Sequence, residues 1–273
     1  MTRPPIEERF PRPSVMGVVN VTPDSFSDGG AFFQPAAALA EAWGMLDEGA
    51  AIVDIGGEST RPGSQPVPVE EELRRVLPVL EGLAGAPTSI DTAKADVARR
   101  ALELGAELVN DVTALRGDPK MAEVVAEAGA YVCLMHMQGE PRTMQDDPRY
   151  DDVVDDVRRF LEQRLEFAVA AGVPEERICL DPGFGFGKTV EHNLELLRRL
   201  DEVCSLGRPV LVGLSRKSSL GRITGDPSAK TGSVAASVAA AVAAYGRGAW
   251  IVRAHDVREH VEALRVAAAV VGA

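Results

Sequence analysis

Residues 88–112 read TSIDTAKADVARRALELGAELVNDV, and one structural unit is visible in them. The short apolar run 88–90 ends at Asp91-Thr92, an amphipathic stretch of helical length covers 93–104, and a second apolar run occupies 108–112. Gly105 stands just past the helical stretch, where a left-handed residue closes a helix at least cost. The same beat recurs on both sides. Further short apolar runs lie at 15–19, 52–55, 131–135, 178–180, 210–214 and 250–252. They show little alternation, as expected of strands buried on both faces of a parallel sheet. Helical stretches separate them at 36–48, 70–83, 121–127, 153–171, 190–200, 229–244 and 257–270. Gly49, Gly129 and Gly172 follow helices as Gly105 does, and Pro35 and Pro119 stand near helix starts, where a missing N–H costs little. Eight strands alternating with eight helices predict an α/β fold, a (β/α)8 TIM barrel, with an open doubly wound sheet as the alternative. No linker divides the chain. Residues 1–273 are expected to form one domain, with 1–13 a poorly ordered extension and 233–244, rich in Ala, Val and Ser, a close-packed helix.

Composition narrows the function. The 273 residues are 45% hydrophobic and 26% charged, enough to bury a full core and too apolar for a disordered chain. Lys and Arg number 29 against 41 Asp and Glu, a net charge of −12. That balance argues against a general nucleic-acid or anionic-membrane binder, which needs a basic footprint, and leaves room for a local basic pocket. Cys133, Cys179 and Cys204 have no metal-ligand spacing, so reduced thiols in a cytoplasmic protein are expected. No run of about 18 apolar residues occurs and residues 1–12 lack an apolar core, so neither a membrane span nor a secretory signal is expected.

The chemistry gathers at the strand ends. After successive apolar runs come Asn20 with 22–30, Asp54 with 56–63, Asp91-Thr92, Asn110-Asp111, His136-Met137, 181–188, 215–219 and 253–256. In a closed barrel these converge on one face. A single strand-end Asp is commonly a helix N-cap, but eight polar strand ends in a row point to a site. Arg61, Lys217, Arg253 and His255 together form a candidate basic cluster, suited to a phosphate or pyrophosphate. Asp91, Asn110 and Asp181 suit a planar heterocycle with donors and acceptors, such as an amino-oxo-pyrimidine edge. Phe26 and Phe186 offer apolar faces, or anchor their loops. The segment 183–189 imitates a phosphate loop, but Pro182 stands where the first glycine is required, and its glycine spacing also fails the dinucleotide fingerprint. His136 and His192 lack partners at metal-ligand spacing. His192 and His260 are expected on solvated helix faces, whereas Arg253 and His255, two apart on a strand, share one face.

The stretches Met16-Gly17-Val18-Val19-Asn20-Val21-Thr22-Pro23-Asp24-Ser25-Phe26 and Asp54-Ile55-Gly56-Gly57-Glu58-Ser59-Thr60-Arg61-Pro62-Gly63, with 181–188, Ser215-Arg216-Lys217-Ser218 and Arg253-Ala254-His255-Asp256, resemble the dihydropteroate synthase family of folate biosynthesis, the target of sulfonamides. The resemblance runs over nearly the whole chain and departs at Ala254, where the family commonly carries Val. It implies a TIM barrel, a homodimer and a Mg²⁺-assisted transferase reaction. 6-Hydroxymethyl-7,8-dihydropterin diphosphate would lose diphosphate and be joined to p-aminobenzoate, giving 7,8-dihydropteroate. Carried over residue by residue, the family's pterin pocket falls on Asp91, Asn110, Met135, Asp181, Lys217 and Arg253. Its diphosphate site falls on Asn20, Thr60, Arg253 and His255, with Asn20 also the metal ligand. Its p-aminobenzoate contacts fall on Phe26, Thr60, Arg61, Pro62, Gly185, Phe186, Lys217 and Ser218. Asp91, Lys217, Arg253 and His255 are the implied catalytic set. Two rivals share the ring-reading Asp and Asn: a pterin-dependent methyltransferase, which would not need 22–30, 59–63 or Lys217-Ser218, and a catalytically silent paralogue.

Overall fold

The structure, a computed structural model, describes residues 3–22, 35–60 and 63–271. Among these, eight strands pair in parallel: β1 (Ser14–Asn20), β2 (Ile52–Gly56), β3 (Thr88–Asp91), β4 (Leu108–Asp111), β5 (Tyr131–Met135), β6 (Ile178–Asp181), β7 (Leu211–Val212) and β8 (Ile251–Ala254). Their order is β6-β5-β4-β3-β2-β1-β8-β7, and a parallel bridge between Leu180 and Val210 brings the two end strands together. The sheet is therefore a barrel, and the doubly wound alternative falls. Around it lie α1 (Ile6–Arg9), α2 (Pro35–Asp47), α3 (Val69–Gly82), α4 (Ala95–Glu103), α5 (Met121–Ala128), α6 (Val153–Ala170), α7 (Val190–Arg198), α8 (Leu200–Cys204), α9 (Ser218–Ile223), α10 (Val234–Tyr245) and α11 (Val257–Val271).

Outward-facing strand residues such as Val19, Ile55, Ile90, Val132 and Leu180 pack with Ala42, Val76, Val97, Val125 and Val157 of the helices in one continuous core. The glycines expected at helix ends, Gly49, Gly105, Gly129 and Gly172, all have positive φ. The helix foreseen over 190–200 is divided at Arg199 into α7 and α8, and the one foreseen over 229–244 begins only at Val234, capped by the Ser233 hydroxyl. On α10, Ser237, Ala240, Ala241 and Ala244 are buried, so the small-residue stretch is a packed helix.

The expected loose extension at 1–13 needs correction for its described part. Ile6 and Phe10 are buried, and they join Met16, Ile52, Leu108, Tyr131, Cys133, Cys179, Leu211 and Ile251 in the cluster that fills the lower barrel. Trp250 Nε1 donates to the Phe10 carbonyl (2.6 Å), the Tyr131 hydroxyl donates to that of Pro4 (2.8 Å), and Arg9 grips Glu107 with two hydrogen bonds. A barrel needs its open end covered, and Ile6 of α1 together with Phe10 just beyond it supplies two apolar side chains for it. The polar, Pro-rich composition hid them.

Candidate active site

Strand register gathers the polar ends. Asn20 pairs with Gly56, Gly56 with Asp91, and Asp91 with Asn110, while Met135 pairs with Asp181 across β5 and β6. Side chains then connect across the barrel. Arg253 donates from Nε to Asp54 Oδ2 (2.7 Å) and from Nη2 to Asp91 Oδ2 (2.9 Å), and Asn110 Nδ2 donates to the same Asp54 oxygen (2.9 Å). Asp54 is thus the hub of four predicted strand ends, although no role followed for it from the sequence. Its signal was a lone carboxylate between Val53 and Ile55 on a buried strand. Burial raises the Asp91 carboxyl above its ordinary range, with Arg253 pulling it back and Asp54 pushing it up. With Nδ2 held by Asp54, Asn110 has, among the described residues, its carbonyl oxygen left to accept, and Arg253 likewise retains Nη1.

The loop after β6 is built around a buried lysine. Asp181 Oδ1 accepts from Gly183 N–H (2.7 Å), and burial pushes its pKa up to about 6. Gly183 has φ 68°, and a Cβ there would lie 1.9 Å from the His136 carbonyl oxygen, so glycine is obligatory. Lys188 Nζ turns into the loop, donating to the carbonyls of Gly183 (2.9 Å) and Phe186 (3.1 Å) and meeting His136 Nδ1 at 2.9 Å. Burial lowers its pKa to about 7 and holds His136 well below the usual range. This is where His136 belongs: a neutral acceptor for Lys188. Phe186 packs with Met135, Met137, Met144 and Val112, and Lys217 Nζ sits 4.3 Å from the centre of its ring. Gly185 lies against the Lys217 stem.

The expected basic cluster is less cationic than its composition. Arg253 is answered by two carboxylates. His255 meets Ser215 Oγ at 3.1 Å, and burial, reinforced by Arg253 and Arg216, depresses its pKa to about 3, so it stands neutral. Arg216 is clamped by Asp256. One other histidine differs from expectation: His260 is fully buried with Nδ1 donating to the Asp256 carbonyl, because α11 packs that face inward. His192, partly exposed on the first turn of α7, closes a capping box with Thr189. Asp111 proves to be a loop brace, accepting from Thr113 and Leu115.

Asn20, Thr60, Asp91, Asn110, Met135, Asp181, Gly185, Phe186, Lys217, Ser218, Arg253 and His255 all fall at or just beyond strand C-terminal ends. Phe26, Arg61 and Pro62 lie outside the described residues. Asp91, Asn110 and Arg253 are tied together through Asp54, and Asp181, Phe186 and Lys217 through Gly183 and Met135, with Arg253 acting on Asp181 by charge; Thr60 and Ser218 are half-buried at the rim. Among the described residues no three His, Cys, Asp or Glu side chains stand together as a metal cage. Chemically, the mouth offers buried acceptors for a ring, neutral and cationic donors for an anion, and an aromatic-lysine wall.

The chain matches the family described as "Pterin binding enzyme" over residues 16–255. It is 48% identical over 266 residues to the dihydropteroate synthase of Escherichia coli K12, covering 96% of this chain and 93% of that one. Among solved structures, Xanthomonas albilineans dihydropteroate synthase with 4-aminobenzoic acid is similar with a TM-score of 0.88 at 51% identity, over 96% of this chain and 94% of that one. The synthase of the same organism in complex with 7,8-dihydropteroate gives 0.84 at 47%, over 96% and 95%.

Proposed function

The chain belongs to the pterin-binding enzymes, among the dihydropteroate synthases, and from that premise we infer how its barrel mouth joins 6-hydroxymethyl-7,8-dihydropterin diphosphate to p-aminobenzoate. The observation that carries the reading is the Asn110–Asp54–Arg253–Asp91 chain of hydrogen bonds set beside buried Asp181. Asp181 accepts from the ring N–H and exocyclic amine, the Asn110 carbonyl accepts a further ring donor, and Met135 covers an apolar face. Arg253 spans ring and anion with Nη1, held flat by its two carboxylates. His255, Thr60 and Asn20 receive the diphosphate.

Asn20, half-buried at the C-terminal end of β1, fits a Mg²⁺ ligand: its carboxamide oxygen is a hard donor at the mouth, and the ion would complete its shell with substrate phosphate oxygens and water. When bound, the ion supplies positive charge to the leaving group. The chain does the rest. As the C–O bond to diphosphate lengthens, positive charge grows at the pterin methylene, and the nearby Asp91 carboxylate stabilises it. The aryl amine, oriented by Lys217, Ser218, Gly185 and Phe186, forms the new C–N bond and releases its proton. The resemblance adds Arg61, Pro62 and Phe26, which lie outside the described residues, to the contacts for which sulfonamides would compete. No side-chain nucleophile is needed.

The setting this reading expects is a cytoplasmic homodimer; no described helix is long and apolar enough to cross a membrane. Turnover of the pterin diphosphate with p-aminobenzoate and Mg²⁺ tests the reading directly. Dihydropteroate and diphosphate should appear in equal amounts, and a protein that binds both substrates without turnover would be a silent paralogue.

A further inference from the structure

We infer that Ser215 is a positioning residue that sets the His255 ring with its proton on Nε2, so that a neutral N–H is presented to the anion. The register of β7 and β8 pairs Leu211 with Ile251 and Val212 with Val252, and carried three residues further it sets Ser215 beside His255. Ser215 Oγ lies 3.2 Å from the His255 backbone nitrogen and 3.1 Å from Nδ1. A backbone N–H can only donate, so the hydroxyl accepts from it. Its own hydrogen then has one acceptor within reach among the described residues, Nδ1. With Nδ1 protonated instead, the hydroxyl hydrogen of Ser215, a residue only 6% exposed, would be left without an acceptor, an unfavourable arrangement. A hydroxyl donating to Nδ1 leaves the ring proton on Nε2.

The surrounding charges leave this arrangement undisturbed. Asp256, the carboxylate whose charge acts on the ring, has both oxygens engaged by Arg216 Nε and Nη2. The other charged groups that act on the ring, Arg253, Arg216 and Lys217, all oppose a second proton. A bare lone pair on Nε2 would repel a diphosphate; an Nε2–H donates to it. The catalytic half of this inference rests on the reading of His255 as a diphosphate donor, whereas the tautomer itself does not.

The two halves separate experimentally. In protein labelled with ¹⁵N-histidine, long-range proton–nitrogen correlation at neutral pH should show His255 as the Nε2–H tautomer, its signal identified by its loss in His255→Gln. Ser215→Ala should shift population to Nδ1–H and weaken pterin diphosphate on the order of tenfold, the lower end of what the partners of functional histidines carry. Bare 6-hydroxymethyl pterin should bind as before, and Ser215→Thr should restore both spectrum and affinity. An Nδ1–H wild type, or a spectrum unmoved by Ser215→Ala, overturns the tautomer assignment. Equal losses for the two pterins overturn the catalytic half alone.

Discussion

Among the described residues Asp181 is held by hydrogen bonds at Oδ1 alone, and that makes it a clean probe of the ring site. In Asp181→Asn the amide oxygen can still accept from Gly183 N–H, so the loop after β6 keeps its shape. The other position changes from acceptor to donor and faces the ring's own N–H. A site built to hydrogen-bond its substrate loses on the order of 10⁴ in affinity when such a match fails. Calorimetry should therefore show pterin binding collapse with the melting temperature little changed; near-normal affinity would remove Asp181 from the site. The same group predicts a pH dependence. It accepts at both oxygens only when ionised, and burial has raised its pKa to about 6, so pterin affinity should fall as pH drops through that value and hold steady above it. Asp181 was legible from the sequence because it opens a distinctive loop. Asp54 was not: its partners Asn110 and Arg253 lie 56 and 199 residues away.

The elements that the sequence concealed are the short ones. Strands and long helices announce themselves by period, but α1 has four residues and shows no period at all. Its worth is tertiary. It buries Ile6 and delivers Phe10, the next residue, into the lower barrel edge-on to Tyr131, with ring centroids 5.7 Å apart. Phe10→Ala should destabilise the fold by about 3–5 kcal/mol, read as a lowered denaturation midpoint at unchanged slope. Turnover under native conditions should stay near wild type, since the site is at the opposite end. A midpoint within error of wild type would mean that residues 3–13 do not seal the barrel. The loop 183–189 shows the converse case, an element legible as a motif whose chemistry is not. Lys188, which a phosphate loop would aim at its ligand, is turned inward onto the loop's own carbonyls.

Over the whole molecule, an acidic chain of net charge −12 gathers Lys217, His255 and Arg253 at the barrel mouth, beyond the C-terminal ends of β7 and β8 or on β8 itself. The two substrates share that mouth. Thr60 and Lys217 are each expected to face both the pterin diphosphate and p-aminobenzoate, so occupancy by the first ligand should preorganise them for the second. p-Aminobenzoate, or a sulfonamide, should bind at least about tenfold more tightly once pterin and Mg²⁺-diphosphate are present, a coupling of ~1.4 kcal/mol. Paired titrations with and without those ligands check this, and identical affinities would show that the second pocket is complete beforehand.

The alternation of apolar runs with helical stretches, and the polar residue closing each run, are properties of neighbours along the chain. Period and strand-end chemistry were therefore readable from the sequence: the barrel, its polar mouth, and the gathering of Asp91, Asn110, Asp181, Lys217, Arg253 and His255 there. What one residue does to another across the barrel is not a local property. Closure through Leu180 and Val210 brings remote strand ends together, and burial then changes their chemistry. It makes Asp54 the hub, divides Arg253 between two carboxylates and leaves His255 neutral against Ser215. Removal from water gives each of these groups its state, and which groups are removed is known only once the barrel has closed.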